Sequence, residues 1–287
     1  MQPAVKAFFD QATFTFSYVV RDPRSTRCAI IDPVLDYDPK SGRASTRSAD
    51  AIIDYVDAEG LEVDWILETH AHADHITGSV HLLERLGGRT GIGARIVDVQ
   101  ATFGKLFNLS SDFVPNGRQF DQLFEDGDRL AIGAMSVEVI HTPGHTPACL
   151  TYLIGDCAFV GDTLFMPDYG TARADFPGGD ARTLYRSIRR VLSLPPATRL
   201  FLCHDYLPEG RSEYVHETTV AAQRDGNIHV RDGISEDSFV VMRQARDRTL
   251  EMPTLILPSI QVNIRAGHFP EPEGNGVVYL KIPVNAV

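Results

Sequence analysis

No stretch of the 287 residues holds the run of about 18 apolar side chains that a helix needs to cross a bilayer, so a membrane-inserted protein is not expected. The first 20 residues lack a basic segment leading into an apolar core and a small-residue cleavage site. Instead Phe14, Phe16 and Tyr18 alternate with polar neighbours, as in a strand, and no secretory leader is expected. Cysteine is scarce: Cys28, Cys149, Cys157 and Cys203 form no C-x-x-C pair and are too few for a disulfide scaffold. That usage suits a reducing compartment, and the cytoplasm is the expected location. Surplus positive charge is also absent. The 27 Lys and Arg against 38 Asp and Glu leave a net charge of -11, which repels nucleic acid and anionic membranes at long range. A small anionic substrate needs only a local basic pocket and is not excluded. Repeats and low-complexity segments are missing as well.

What is present reads as an ordinary globular chain, 43% hydrophobic and 23% charged, sized for one large α/β unit, 1–287, whose residues from about 243 to 287 wrap around it. Strands are expected at 12–20 and 28–32. A helix follows at 49–58, with Ile52, Ile53 and Val56 at helical spacing and Gly60 past its end, and then a short buried strand at 63–68. A second helix over 76–86 would put Ile76, Val80 and Leu83 on one face. Four strands are expected near 128–132, 135–141, 149–154 and 157–161, with Gly155 and Asp156 as a tight turn. Asp180 can cap a helix carrying Leu184, Ile188, Val191 and Leu192, and 199–203 returns to strand. Two half-chains of strands followed by helices imply two sheets packed face to face with helices outside, an αββα sandwich. The Pro- and Gly-rich last 45 residues or so are expected to hold a few strands.

The strand at 63–68 runs into Thr69, His70, Ala71, His72, Ala73, Asp74 and His75, which puts three imidazoles and a carboxylate at one strand end. This is metal-ligand density. In an extended loop His70 and His72 share a face, and a tight turn brings Asp74 and His75 beside a second position, so two adjoining sites are geometrically allowed. Three more candidates each follow an apolar strand: His145, Asp162 and His204. Gly144 and Gly161, each one residue before a candidate ligand, let the backbone turn sharply there. Singly each of these is an ordinary turn residue; in this order, after a histidine-rich loop, they reinforce one another.

The series His70, His72, Asp74, His75, His145, Asp162 and His204 resembles the motif set of the metallo-β-lactamase superfamily, over roughly residues 8 to 210. The resemblance implies an αββα sandwich of two mixed sheets with the site at one edge between them. It does not fix the substrate, since that fold hosts many chemistries. Two branches compete, thiolester hydrolases resembling glyoxalase II and persulfide dioxygenases. The segment Tyr169 to Phe176 (YGTARADF), followed by Gly178, Gly179 and Asp180 and by Leu184 and Tyr185, resembles the G-R-T-D-F segment and helix of the dioxygenases. Cys203, His204, Asp205 and Tyr206 stand where glyoxalase II commonly has His-Glu-Tyr, and Ser235 to Phe239 resembles the dioxygenase S-E-D-E-F segment. Thr171 and Ala172 depart from the pattern, replacing the glycine before the arginine.

By that resemblance one Fe(II) per chain is held by His70, His145 and Asp162, and the protein oxidises the sulfane sulfur of glutathione persulfide with dioxygen to sulfite and glutathione. Two imidazoles and one carboxylate leave about three positions open on Fe(II), enough for sulfur and dioxygen together; zinc, the alternative metal, lacks the redox step. His72, Asp74, His75 and His204 would then support the iron ligands, or hold the second metal in a binuclear zinc thiolester hydrolase. Arg173 is the candidate for gripping a glutathione carboxylate, its other reading being an ion pair with Asp175. Tyr206 is the candidate hydroxyl donor to the substrate backbone. Arg182, Arg186, Arg189 and Arg190 are expected to form a solvated helix face, Cys203 to be buried packing, and His81, His141, His216, His229 and His268 to be structural or exposed. A homodimer is the assembly the family suggests. The remaining class, a non-catalytic scaffold on the same fold, would be favoured by lost ligands, and none is lost.

Overall fold

The structure, a computed structural model, describes residues 2–110 and 113–286. Strands β1 (Ala4–Asp10), β2 (Thr15–Arg21) and β3 (Arg27–Ile31) form an antiparallel meander, followed by the hairpin strands β4 (Val34–Asp38) and β5 (Arg43–Ser45). Then come α1 (Arg47–Ala58), β6 (Glu62–Leu67), β7 (Ile76–Thr77), α2 (Ser79–Leu86), β8 (Arg89–Gly93), α3 (Ile96–Leu106) and β9 (Gln122–Phe124). In the order β1-β2-β3-β6-β8-β9 six of these strands make the first sheet, parallel from β3 onward. The second sheet is built from β10 (Arg129–Ile132), β11 (Met135–His141), β12 (Leu150–Ile154) and β13 (Cys157–Phe159). After α4 (Ala181–Val191) it is completed by β14 (Arg199–Phe201) and β15 (Glu217–Thr219), side by side in chain order. The helices α5 (Val220–Gly226), α6 (Glu236–Asp247) and α7 (Ile256–Asn263) close the chain.

Alternation of side chains builds the layers. On β2, Phe16, Tyr18 and Val20 point into the core between the sheets, where they meet Trp65, Val137, Tyr152, Phe159 and Phe201. Val19 points the other way, onto Ile52, Ile53 and Val56 of α1. Beneath the second sheet, Leu184, Ile188 and Val191 of α4 pack on Ala158, Leu200 and Leu202. Each fully buried side chain of this size contributes roughly 1.5–3 kcal/mol. The Asp180 carboxylate accepts from Thr183 N at 2.7 Å and caps α4, worth about 1 kcal/mol. The metallo-β-lactamase fold, the αββα sandwich expected from the sequence, is what the chain forms.

Local differences have physical reasons. Ile76 and Thr77 are strand, because they pair with Leu35 and Val34 of β4; α2 begins at Ser79, and its fully buried apolar residue is Leu82. Among the described residues no strand follows β15; the expected strands of the tail are instead α6 and α7 with extended chain after them. Helix α6 has little apolar periodicity because its buried face is Phe239, Arg243 and Asp247, a hydrophobe and an ion pair four residues apart. Nor are the α4 arginines merely solvated. Arg182 and Arg186 reach Glu236 on α6, Arg189 reaches Asp232 and Arg190 reaches Asp126. Exposed pairs of this kind are worth about 0–1 kcal/mol each, so burial of Phe239 rather than charge does most to dock α6.

Candidate metal centre

The two sheets converge at one end of the sandwich. There Phe16 N donates to Cys203 O at 2.7 Å, and Thr15 bridges His204. Every candidate ligand lies at this end. His70, His72, Asp74 and His75 follow β6; His145 follows β11; Asp162 follows β13 in a single 3-10 turn, Gly161–Thr163; His204 follows β14. The predicted glycines are required. Gly144 (φ +135°) lies so close to the start of α4 that a Cβ there would stand 2.3 Å from Leu184 backbone atoms, and at Gly161 (φ +51°) it would stand 2.6 Å from Thr69 Oγ1.

All the histidines of the centre are buried. Each turns one ring nitrogen to a protein partner. Thr69 Oγ1 donates to Asp32 (2.8 Å), so it accepts from His70 Nδ1 (3.0 Å). His72 Nε2 donates to Asp32 Oδ1 (3.0 Å) and lies 3.3 Å from Glu68 Oε2. His145 Nδ1 donates to the Arg173 carbonyl (2.8 Å), and His204 Nδ1 is 3.3 Å from the Phe14 carbonyl. These contacts set the tautomers and leave the opposite nitrogens bare. His70 Nε2, His72 Nδ1, His75 Nε2, His204 Nε2 and Asp162 Oδ1 are all buried without a hydrogen-bond partner. Buried polar atoms are normally satisfied, and five orphans converging on one volume fit a metal-binding site.

The candidate ligand atoms form two sets, His70, His145 and Asp162, and His72, Asp74, His75 and His204, each within 4.8 Å internally; Asp162 with Cys203 and His204, and Asp32 with Glu68 and His72, make two further clusters as tight. Asp162 stands between them. Its Oδ2 is 3.9 Å from His70 Nε2 and 3.6 Å from His145 Nε2, and its Oδ1 is 3.4 Å from His204 Nε2. Burial, with the neighbouring imidazoles of His72 and His145, pushes His70 well below the usual histidine range, so it is neutral and ready to bind a cation. Burial likewise lowers His75. For Asp74 burial works upward, but His204 and His75 outweigh it and hold the carboxyl well below its usual value. For His72 burial works downward, and Asp32 and Glu68 outweigh it and raise the imidazole well above 6.5.

A cavity of about 930 Å³ opens onto the centre, with Asp74, His145 and Asp162 in its wall and Phe165, Tyr169 and Tyr206 beside them. Tyr206 stacks on the His204 ring, and burial together with Asp162 and Asp74 pushes its phenol well above the ordinary value. The Arg173 fork is engaged by Asp175, Nε to Oδ1 at 2.6 Å and the second prong at 2.8 Å, and by the Glu251 carbonyl at 2.7 Å. The supports carry no signal in the sequence, where Asp32 is a strand end and Glu68 the last residue of an expected strand. Asn263, on α7, donates to the carbonyls of His72 and His75 at 2.8 Å each and accepts from Thr77 N at 2.9 Å. On α6, Arg243 bonds the Thr171 carbonyl and Asp247, and Asp247 accepts from Ala174 N, which braces the loop whose carbonyl holds His145. No short motif announces either device, because both are long-range contacts. His229 is structural, as expected: its Nδ1 accepts from Thr171 N at 3.1 Å. Cys203 is buried beside the centre, its thiol pushed well up by burial.

The family model described as Metallo-beta-lactamase superfamily matches residues 11–204. The chain is 59% identical to a probable metallo-hydrolase of Burkholderia pseudomallei, over 99% of both chains. It is 48% identical to glyoxylase B2 of Dictyostelium discoideum, over 98% of this chain and 97% of that protein. It is 29% identical to the human mitochondrial persulfide dioxygenase ETHE1, over 92% of this chain and 88% of that one. Among solved structures ETHE1 from Myxococcus xanthus superposes with a TM-score of 0.73 at 29% identity, covering 92% of this chain and all of that one.

Proposed function

The chain belongs to the metallo-β-lactamase superfamily, and from that premise we propose that it is a persulfide dioxygenase. In this reading it oxidises the sulfane sulfur of glutathione persulfide with dioxygen to sulfite and glutathione, at one Fe(II) held by His70, His145 and Asp162. The observation that carries the proposal is the exposure of this set to the cavity. His145 and Asp162 both line it, so a metal held there would face the substrate, while of the other set only Asp74 reaches the wall. Two imidazoles and a carboxylate are the donor set suited to Fe(II) with open positions, and bound iron would supply the redox step between sulfur and dioxygen. The chain's own residues do the rest. Phe165, Tyr169 and Tyr206 make an aromatic wall that limits water near the reacting sulfur, and the supports on His70 and His145 fix which nitrogen faces the metal. The resemblance to ETHE1 along 92% of the chain supports the same reaction. The four buried free thiols suit a cytoplasmic protein, and the family suggests a homodimer.

A second reading has its own observation. The set His72, Asp74, His75 and His204 is complete and three of its nitrogens lack partners, which would suit a binuclear zinc hydrolase of glutathione thiolesters. Purified protein is to be assayed for iron and zinc, for oxygen uptake on glutathione persulfide, and for hydrolysis of S-lactoylglutathione. About one iron per chain with oxygen uptake is expected. Two zinc ions with thiolester hydrolysis and no oxygen uptake would move the assignment to the hydrolase.

A further inference from the structure

Five arginines line the cavity above the metal centre, Arg43, Arg47, Arg173, Arg243 and Arg246. Three are neutralised by this chain's own carboxylates: Arg47 by Asp36 (2.8 Å), Arg173 by Asp175 (2.6 Å) and Arg243 by Asp247 (2.7 Å). Among the described residues Arg43 and Arg246 have no carboxylate partner. Arg43 opens β5 opposite Asp38 in the ladder, but the Asp38 carboxylate is engaged by Ser41 Oγ at 2.6 Å and Lys40 N at 3.0 Å. Arg246, at the end of α6, is half-buried with its guanidinium 5.8 Å from the centre of the Tyr169 ring. In a chain of net charge -11, where acids outnumber bases and most cavity arginines are paired, these two, Arg43 exposed and Arg246 half-buried, are free to take an external anion.

We propose that Arg246 and Arg43, both in the lining of the cavity, form a two-point receptor for the two carboxylates of a thiol peptide. The two come from different elements, Arg43 from the β4–β5 hairpin and Arg246 from the helix that braces the His145 loop, and Asp74, His145 and Asp162 line the same cavity. A ligand anchored at both ends would present its central sulfur to the metal. Planar guanidinium forks match carboxylates in two-pronged fashion, and the Tyr169 face steadies the Arg246 fork. This makes Arg246, rather than Arg173 with its fork already filled, a carboxylate reader of this cavity. The inference rests on the glutathione part of the proposed function and is independent of which reaction follows.

The test uses S-methylglutathione, a thioether that is neither a persulfide nor a thiolester and so is not turned over. Its binding to the metal-loaded protein is measured by calorimetry, alongside circular dichroism and metal content for each variant. Arg246→Leu and Arg43→Leu are each expected to weaken binding at least about tenfold. Arg248→Leu, exposed and outside the cavity, should bind like the unaltered protein. The diethyl ester of S-methylglutathione should bind the unaltered protein as weakly as the variants bind the acid. Undiminished binding by Arg246→Leu, loss at only one arginine, or no binding by the unaltered protein would overturn the receptor. Tight arginine-dependent binding with no oxygen uptake on glutathione persulfide would leave the receptor standing and remove only the dioxygenase reading. Arg246→Lys and Arg43→Lys keep the charge, and partial recovery there separates recognition from a folding defect.

Discussion

At the scale of single residues the centre depends on which atom of each side chain is left bare. His70 and His145 each spend Nδ1 on the protein and leave Nε2 facing the Asp162 carboxylate, where a metal would be held. Asp162→Asn keeps the size but removes the charge, and the protein is expected to lose its bound metal; the check is metal analysis after gel filtration, and a metal-replete active variant would remove Asp162 from the proposed ligand set. A second prediction concerns His229, away from the metal. Burial, with Arg243 and Arg246 adding to it, pushes its imidazole from 6.5 down to about 4. The fold therefore holds it neutral while the unfolded chain takes a proton. Its share of stability is complete above about pH 6.5 and declines as pH falls through the window toward 4. In chelator-treated protein, urea midpoints across that range should fall with acid less steeply for His229→Gln, whose amide oxygen can still accept from Thr171 N. Identical slopes would show that His229 does not set the acid response.

At the scale of elements, the ligand loops are held from outside the segment that carries the ligands. Helix α7 brings Asn263 to three backbone groups of the loop at 72–77, and α6 brings Arg243 and Asp247 to the loop at 171–174. Asn263→Ala would leave buried carbonyls unsatisfied and free the His72 and His75 backbone, and metal affinity is expected to fall about 10–100-fold in competition with a chelator. Affinity equal to that of the unaltered protein would show the clamp to be incidental. This also marks what could be read in advance. The β2, β3, β6 and β11–β13 strands, α1 and α4 were legible because period-2 or period-3.6 apolar patterns reach the core undisturbed. The candidate ligands were legible as a cluster because imidazole and carboxylate density at strand ends is rare without a metal. The supports were not, since Asp32 and Asn263 are ordinary polar residues until distant segments meet them. Helix α6 escaped because an arginine and an aspartate, Arg243 and Asp247, occupy its buried face.

At the scale of the molecule, the metal would join two halves. The ligands after β6 belong to the first sheet and those after β11, β13 and β14 to the second, so a bound ion ties the sheets together where they converge. Mass action then predicts that removing metal destabilises the fold, by about 2.7 kcal/mol if metal stood at 100 times its Kd. Calorimetry should show the chelated protein melting about 5 °C or more lower, with recovery on anaerobic Fe(II) addition; an unchanged Tm would mean that the ion does not bridge the halves. Asn263 has a further consequence, for the order of events during synthesis. It lies 191 residues downstream of His72. A nascent chain that has reached His204 already carries every proposed ligand, yet the carbonyls at 72 and 75 still await their amide. Tight binding of an ion at these residues would thereby wait until Asn263 has been made and α7 has docked.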